Sequence, residues 1–254
     1  MRAIDLNADL GEGWGPWRMG DDAAMLELVT SANIACGGHA GDPETMFATM
    51  TLAHARGVVI GAHPSFPDLA GFGRRRLPAT AAEIERFVAA QVGAMIGVAA
   101  LAGAGIAYVK PHGALANLAA DDAEIAKAVA RAVRAVDAGL ALLAISGTQL
   151  EAEARDAGMS VFSEIFADRG YTAAGRLVPR DQPGAMIVDP DAACRRLLGF
   201  LTSGAMPVVG GGEVALAAHS ICIHGDSPHA VAMARQVRQA LGEAGVSIRP
   251  FLGS

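Results

Sequence analysis

The residues best suited to chemistry stand in short motifs, and the first of these is DLNADLGEG. It contains Asp5, Asn7, Asp9 and Glu12. Side chains alternate between the two faces of a strand, so we expect Asp5, Asn7 and Asp9 to share one face. Burying three polar groups costs free energy unless they are satisfied by partners in a site. This cost favours a functional strand over a solvated edge strand.

Two histidines follow the next two apolar runs. His39 stands in SANIACGGHAGDP, downstream of Asn33, and His63 stands in GAHPSFPD. Together with Asp9, the two imidazoles could hold a divalent metal and leave positions open for water. Hydrogen-bonded structural histidines explain the same spacing, so both interpretations stay open on the residues alone.

A lysine and a third histidine stand in the motif YVKPHGAL. Lys110 ends an apolar run, and His112 lies just beyond Pro111. Partial desolvation at such a position is expected to lower the pKa of Lys110, which would suit it to bind an anion or carry a proton. The alternative is a surface lysine whose stem covers apolar neighbours.

The motif EIFADRGY adds two acids and an arginine. Glu164, Asp168 and Arg169 end a predicted strand, and Arg176 and Arg180 follow on a loop. Arginines in such a loop suit a carboxylate or phosphate on the substrate. Pairing of these arginines with the two acids in a structural network is the alternative.

The last motif, ICIHGDSPHAV, pairs a histidine with a carboxylate. His224 and Asp226 stand between an apolar run and a predicted helix start at Ser227. Such a pair can act in general acid-base catalysis or orient an anion. Helix capping would explain Asp226 but not His224.

Several familiar catalytic motifs do not occur in the sequence. There is no GxxxxGK[ST] phosphate loop, no complete GxGxxG and no GxSxG elbow. The glycine run 210–212 is too short to indicate a phosphate site by itself. The three cysteines are scattered, and we expect Cys36, Cys194 and Cys222 to be buried thiols. The sequence therefore favours catalysis by an activated water.

The elements that must position these residues alternate regularly. Apolar strand-like runs are separated by amphipathic stretches, which is typical of βαβ units. The predicted strands are 3–7, 31–35, 58–62, 106–110, 140–145, 160–164 and 220–224. Such units close into a barrel or stay an open doubly wound sheet, and periodicity does not decide between them. The Gly- and Arg-rich loop 64–79 is long enough to predict a functional role.

Composition predicts one domain over residues 1–254 and argues against two classes of partner. The chain has 26 acidic and 20 basic side chains, for a net charge of −6. Without a basic field, neither nucleic acid nor a membrane is an expected partner. The apolar stretch 87–107 is interpreted as a buried helix followed by a turn. The N-terminal residues lack an apolar signal segment, which predicts a cytoplasmic location.

Taken together, the motifs resemble those of the LamB/YcsF family. DLNADLGEG, SANIACGGHAGDP, GAHPSFPDLAGFGRR, VKPHGAL, EIFADRGY with GRLVPR, and ICIHGDSPHAV stand in the family's order and span almost the whole chain. The resemblance implies an α/β fold, a variant (β/α) barrel of about seven parallel strands of the glycoside hydrolase/deacetylase type. It also implies ATP-dependent opening of the lactam of 5-oxo-L-proline to L-glutamate, with ATP as co-substrate and two other 5-oxoprolinase subunits as partners.

On this resemblance we assign roles to the motif residues. The expected catalytic residues are Asp9, Lys110, Glu164, His224 and Asp226. The expected substrate-binding residues are Asn7, Glu12, Asn33, His112, Asp168 and Arg169. The ligands expected for a divalent metal, if one is used, are Asp9, His39 and His63.

Two other functions stay open at this point. One is a metal-dependent deacetylase or amidohydrolase that needs no ATP. The other is a ligand-binding subunit whose partners perform the chemistry.

Overall fold

The computed structural model describes residues 3–225 and 229–252. The strands in these residues are β1 (Ala3–Leu10), β2 (Ser31–Ala35), β3 (Val59–His63), β4 (Tyr108–Val109), β5 (Ala141–Ile145), β6 (Val161–Phe166), β7 (Ala205–Pro207), β8 (Glu213–Ala215), β9 (Ser220–Ile223) and β10 (Ser247–Ile248). The helices are α1 (Asp22–Met25), α2 (Pro43–Ala55), α3 (Ala81–Leu101), α4 (Gly113–Asp121), α5 (Ala123–Val136), α6 (Gln149–Asp156), α7 (Pro190–Ser203) and α8 (Ala230–Glu243).

Seven parallel strands form a closed barrel. Their order is β1-β2-β3-β4-β5-β6-β9, and β9 pairs with β1 through Asp5 opposite Ser220 and Asn7 opposite Cys222. This last pairing decides between the two architectures that the sequence left open, because an open sheet would leave β1 and β9 unpaired. The predicted barrel of about seven parallel strands is confirmed.

The predicted strands occur close to the predicted positions, with two informative differences. β1 continues to Leu10, and His63 is the last residue of β3 rather than a residue beyond it. Both strands extend because they stay paired with β2, with Leu10 opposite Ile34 and His63 opposite Ala35. The sequence did not predict the short hairpin β7-β8, whose turn contains the glycine run 210–212, with positive φ at all three residues.

Polar side chains cap the starts of several helices. Asp42 caps α2, which has Pro43 in its first turn, and Asp122 caps α5. Thr80 and Glu83 form the reciprocal capping box of α3. The predicted start of the last helix at Ser227 lies outside the described residues, and α8 begins at Ala230.

The barrel interior is divided between a polar upper part and an apolar lower part. The lower part contains Tyr108, Leu143 and Phe162, and Phe251 from the C-terminal segment packs against them. A Cβ atom on Gly61 would collide with the Tyr108 ring, so this strand position needs glycine to admit the ring. The upper part holds the polar residues predicted from the motifs.

One helix in the described residues is long and apolar enough to cross a membrane by length and composition. This helix is α3, whose most apolar window has a mean hydropathy of 1.5 and is 28% buried. Core helices of globular proteins pass the same test. Ile84, Val88, Val92 and Met95 of α3 are buried, and the helix packs against α5. The predicted helix in this region is confirmed, and it is partly rather than fully buried.

Candidate active site

A cavity of about 570 Å³ opens at the carboxyl ends of the barrel strands. Its lining brings together residues from motifs far apart in the sequence. They include Asp9, His63, Arg74, Lys110, His112, Glu164, Phe166, Arg169, Arg180 and His224. The carboxyl mouth is where enzymes with parallel barrels carry their active sites.

Lys110 lies on the floor of this cavity and is surrounded by acceptors. Its Nζ is 2.8 Å from Asp9 Oδ1, 3.1 Å from Cys222 Sγ and 3.4 Å from Asn7 Oδ1. Glu164 Oε2 lies 2.9 Å from the same nitrogen, outside hydrogen-bond geometry, and forms an ion pair with it. Lys110 is therefore an anchored cation rather than a surface lysine.

The predicted lowering of the lysine pKa is wrong. Burial acts to lower the pKa of Lys110, but Asp9, Cys222 and Glu164 outweigh it and raise this pKa well above its ordinary value. The sequence showed the desolvation but not the two carboxylates brought in from other strands. Lys110 can therefore stabilise negative charge, but it is poorly suited to give up a proton.

The two carboxylates beside Lys110 differ in their electrostatics. Burial acts to raise the pKa of Asp9, but His63 and Lys110 outweigh it and hold this pKa well below its ordinary value. Burial raises the pKa of Glu164, and the contact with Lys110 only partly opposes the shift. Asp9 is thus held as the anion, while Glu164 takes up a proton more readily.

Four buried side chains form a cluster beside Asp9. The potential ligand atoms of Glu12, His39, His63 and His112 all lie within 4.8 Å of one another. His39 Nε2 is 3.1 Å from Glu12 Oε1, and His112 Nδ1 is 3.1 Å from His63 Nε2. Neighbouring ligands of a tetrahedral metal with bonds of about 2.0–2.1 Å would be separated by about 3.3 Å. The spacing fits a metal-ligand shell.

The hydrogen bonds of two of these rings point their free nitrogens at each other. His63 Nδ1 lies 2.7 Å from the carbonyl of Lys110, and His112 Nε2 lies 2.9 Å from the carbonyl of Phe72. A carbonyl only accepts, so these two nitrogens carry the protons. The lone pairs of His63 Nε2 and His112 Nδ1 then face each other unless a proton or a metal ion lies between them. Backbone carbonyls commonly fix metal-bound histidines in this way.

Two further observations fit a cation at this cluster. His39 Nδ1 is buried and has no hydrogen-bond partner. Burial lowers the pKa of His39 to about 3, and burial together with His39 and His63 holds the pKa of His112 well below its ordinary value. Neutral imidazole is the form that binds metals. Glu12 and His112, expected to bind substrate, thus join His39 and His63 here, and Asp9 lies 3.3 Å from His63 Nε2.

The long loop 64–79, whose length predicted a functional role, contacts the cluster through Phe72. Phe72 has a φ of +54°, a left-handed conformation that no other non-glycine residue in the described part of the chain adopts. Its ring meets those of His39 and His112 edge to face, at centroid distances of 5.2 and 5.4 Å. The guanidinium group of Arg74 lies over this ring, with its central carbon 4.8 Å from the ring centroid, and Arg74 lines the cavity.

A second histidine system also lines the cavity. His224 Nδ1 lies 2.9 and 2.8 Å from the two oxygens of Asp168. Burial acts to raise the pKa of Asp168, but His224 outweighs it, and the pKa is lowered. A carboxylate that orients an imidazole in this way leaves its Nε2 as the proton-accepting atom. Asp168, which we expected to bind substrate, contacts His224 and orients its ring; the substrate-binding role stays a prediction. Asp226 lies outside the described residues.

All three arginines of the loop after β6 line the cavity, and two of them also make structural contacts. Arg169 Nε and Nη2 donate to the carbonyls of Ala185 and Val178, so this predicted substrate ligand also fastens its own loop. Arg176 pairs with Asp121 at 2.6 Å. Arg180 lines the cavity close enough to Arg169 to help burial lower the pKa of Arg169 to about 10.

Sequence reasoning missed three residues that support the site. Tyr108 donates to Asn33 Oδ1 at 2.7 Å, and Ser220 accepts from Asn7 Nδ2 at 2.6 Å. Phe72 supplies the carbonyl that fixes His112. Ser220 stands opposite Asp5 across the β1-β9 pair, so strand alternation would have placed it inside the barrel once that pairing was known. For Tyr108 and Phe72 the sequence carries no such signal.

The fold and the site define a class of protein: a closed parallel (β/α) barrel with acids, a lysine and histidines gathered at its carboxyl mouth. The model of the LamB/YcsF family matches residues 4–254, and the chain belongs to this family. The predicted resemblance is confirmed.

Relatives named as the A subunit of 5-oxoprolinase match over nearly their whole length. The protein from Azorhizobium caulinodans is 54% identical over 252 residues, covering 99% of each chain. The protein from Paracidovorax citrulli is 52% identical over 248 residues, covering 98% of this chain and 99% of the relative.

Two solved structures resemble this chain over nearly its whole length. The lactam utilization protein from Thermus thermophilus superposes with a TM-score of 0.91 at 46% identity, covering 97% of this chain and 99% of that one. A protein from Enterococcus faecalis V583 gives a TM-score of 0.59 at 13% identity, covering 98% and 97%. The second likeness concerns the fold alone.

Proposed function

We propose that this chain is the hydrolytic subunit of a 5-oxoprolinase, which opens the lactam of 5-oxo-L-proline to L-glutamate with ATP as co-substrate. The observation that carries the proposal is the cavity itself. It holds an oriented imidazole, an anchored ammonium group and arginines within a volume that accepts a small anion. The names of the relatives at 50% identity and above supply the substrate.

A lactam resists hydrolysis because amide resonance weakens its carbonyl carbon as an electrophile. Transfer of the γ-phosphoryl group of ATP to the lactam oxygen would release ADP and leave phosphate as a good leaving group. Water then adds to the former carbonyl carbon; His224 takes the proton from this water and returns it to the ring nitrogen as the C–N bond breaks, which leaves γ-glutamyl phosphate. A second water hydrolyses this acyl phosphate to L-glutamate and inorganic phosphate.

The cationic groups hold the charges of this substrate. The substrate carries one carboxylate and, once activated, a phosphoryl group. Arg74 and Arg180 line the cavity and suit these anions, because a guanidinium binds planar or tetrahedral oxyanions through paired donors. Lys110, fixed between Asp9 and Glu164, stabilises the negative charge that develops at the reacting oxygen.

A divalent metal fits the cluster of Glu12, His39, His63 and His112. Three imidazoles and one carboxylate suit a borderline transition metal such as Zn²⁺. Such an ion, when bound, would polarise an oxygen and lower the pKa of a bound water. Asp9, beside His63 and Lys110, lies between this cluster and the floor of the cavity.

The sequence carries no nucleotide-binding motif, so we assign ATP binding to the assembly of this chain with two other subunits. The cytoplasmic location belongs to the same proposal, since ATP is the co-substrate. An ATP-independent deacetylase and a ligand-binding subunit remain outcomes that the same experiment separates.

The test combines the purified chain with its two partner subunits, 5-oxoproline and ATP, and measures glutamate and ADP. We expect turnover only with all components, and a loss of about 10²- to 10⁴-fold for His224→Gln, the range of general acid-base catalysis. His54→Gln, on the exposed face of α2, is the matched control and should keep full activity.

Three results would contradict the proposal. Hydrolysis without ATP would indicate an amidohydrolase. Full activity of the His224→Gln assembly would indicate that the chain only binds ligand. Turnover by the two partner subunits without this chain would remove it from the reaction.

A further inference from the structure

A buried hydrogen-bond path runs from the bottom of the barrel to Lys110. It begins at Asp5, which is 0% exposed. Asp5 Oδ1 accepts from Thr30 at 2.6 Å and from Ser31 at 2.7 Å, and Asp5 Oδ2 accepts from Ser220 Oγ. A carboxylate has no proton to give, so all three hydroxyl groups must donate to it.

The hydrogen bond from Ser220 to Asp5 determines the orientation of the Asn7 side-chain amide. The single hydroxyl proton of Ser220 points at Asp5, so its oxygen can only accept from Asn7, and Asn7 Nδ2 lies 2.6 Å from it. The amide oxygen of Asn7 must then point the other way. It accepts from Asn33 Nδ2 at 2.6 Å and lies 3.4 Å from Lys110 Nζ.

A second arm of the hydrogen-bond path starts at Tyr108 and fixes the orientation of the Asn33 side-chain amide. The hydroxyl of Tyr108 donates to Asn33 Oδ1 at 2.7 Å, which turns the amide nitrogen towards Asp9 Oδ1 at 2.8 Å. Asp9 Oδ1 therefore accepts from both Asn33 and Lys110. The reverse orientation of either amide would direct an NH₂ group at a donor or at the ammonium ion, which is repulsive.

We propose that Asp5 and Tyr108 are positioning residues for Lys110, Asp5 acting through Ser220 and Asn7, and Tyr108 acting through Asn33. The inference rests on the function proposed above and deepens it, since Lys110 is the cation of that site. Within the described part of the chain, neither residue lines the cavity. The inward-facing polar side chains of β1 thus direct acceptor oxygens towards the ammonium group of Lys110.

A purely structural role would also satisfy these buried groups, and the chain offers a matched pair that separates the two explanations. Ser31 and Ser220 each donate one hydroxyl to Asp5, and both are 0% exposed. Only Ser220 continues to Asn7. Ser31→Ala and Ser220→Ala each remove one hydroxyl donor to Asp5, from Oδ1 and from Oδ2 respectively, but only Ser220→Ala interrupts the path to Lys110.

The composition allows Lys110 to be observed directly, since the chain has only two lysines, Lys110 and Lys127. The chain is labelled with [ε-¹³C]lysine, and the ¹³C and ¹H signals of the ε-methylene are recorded at one pH. Lys127→Arg assigns the signals, and Lys127, 46% exposed, gives the reference for a mobile side chain. In parallel, kcat and KM for 5-oxoproline are measured in the full assembly.

We expect Ser220→Ala to move the Lys110 signal towards that of Lys127 and to lower kcat by about 10- to 100-fold with KM nearly unchanged, as for a misplaced catalytic group. Ser31→Ala should leave both measurements at the level of the parent, and Ser220→Thr, which keeps the hydroxyl, should restore them. Tyr108→Phe should act like Ser220→Ala through the other arm, and it replaces Ser220→Ala if that variant does not fold.

Equal effects of Ser31→Ala and Ser220→Ala, or no effect of Ser220→Ala and Tyr108→Phe on the Lys110 signal, would overturn the positioning role. Failure of the proposed function looks different. No assembly would then turn over 5-oxoproline, and the lysine signals of the chain alone would still decide whether Asp5 and Tyr108 position Lys110.

Discussion

At the scale of single residues, the site depends on which buried groups keep their charge. Lys110 remains a cation because three acceptors outweigh its desolvation, and Asp9 remains an anion for the complementary reason. Asp5 has no cation among its hydrogen-bond partners, and burial raises its pKa from 3.8 to about 6 although Ser220, Thr30 and Ser31 donate to it. Hydroxyl donors thus compensate burial less completely than an ammonium group does.

This difference predicts a pH dependence of stability that belongs to Asp5. A carboxyl whose pKa is raised on folding stabilises the fold fully below its unfolded pKa and loses that contribution as pH rises through its folded pKa. For Asp5 the loss falls between about pH 4 and pH 6 and amounts to about 3 kcal/mol. Asp5→Asn lacks this contribution.

The measurement is urea unfolding of the parent and of Asp5→Asn at a series of pH values. The free energy of unfolding of the parent, relative to that of the variant, should fall by the stated amount across this interval. Asp156→Asn, at an exposed position of α6, is the control and should keep a constant difference. A constant difference for Asp5→Asn as well would contradict the prediction.

At the scale of elements, the loop 64–79 is the part of the site that ordinary secondary structure does not supply. Its strained residue, Phe72, provides both a carbonyl for His112 and a ring against His39. Left-handed backbone costs a non-glycine residue about 1–2 kcal/mol. Such a cost persists where the surrounding structure holds the residue in place, which is common at functional sites.

Phe72→Gly is expected to weaken metal binding more than it weakens the fold. Glycine keeps the carbonyl that contacts His112 and relieves the backbone strain, but it removes the ring that packs against His39 and His112 and no longer holds the carbonyl rigidly in place. Weakened support of metal ligands typically lowers metal affinity by about 10- to 100-fold. Calorimetric titration of the purified chain with Zn²⁺ measures this affinity, with one ion per chain expected for the parent. Leu69→Ala, at a 48% exposed position of the same loop, should bind like the parent.

Two results would contradict this account of the loop. Unchanged Zn²⁺ affinity in Phe72→Gly would show that the loop does not support the cluster. Absence of Zn²⁺ binding by the parent chain would remove the metal from the proposed function.

At the scale of the whole molecule, the barrel is open above and closed below. The C-terminal segment follows β10 across the lower end, where the ring of Phe251 lies 5.0 Å from Tyr108 and 4.8 Å from Phe162 between centroids. This segment thus supports the ring whose hydroxyl group reaches the site through Asn33. Packing in the apolar lower part of the barrel therefore holds Tyr108 in place and, through Asn33, supports the polar upper part.

Phe251→Ala should lower the free energy of unfolding by about 1–3 kcal/mol, the value expected for burying a large apolar side chain. Chemical denaturation of the parent and the variant measures it. Leu101→Ala, at a position 79% exposed at the end of α3, should stay within about 0.5 kcal/mol of the parent. A similar small effect for Phe251→Ala would show that the segment does not close the barrel.

Local patterns in the sequence determined much of this protein. Alternating apolar runs predicted the strands, Asp42, Thr80 and Asp122 marked helix starts, and the polar row of β1 predicted an inward face. The three cysteines are buried as expected. These features depend on interactions within a few residues, which is why a single sequence can show them.

Only the tertiary structure decided what depends on partners from distant strands. Closure of the barrel required the pairing of β1 with β9, and the charge of Lys110 required Asp9 and Glu164 beside it. Glu12 and His112 join His39 and His63 in one cluster because four separate segments of the chain meet there. Local sequence specifies which groups exist, but distances and electrostatic fields arise only when the chain closes, because both depend on residues far apart along it.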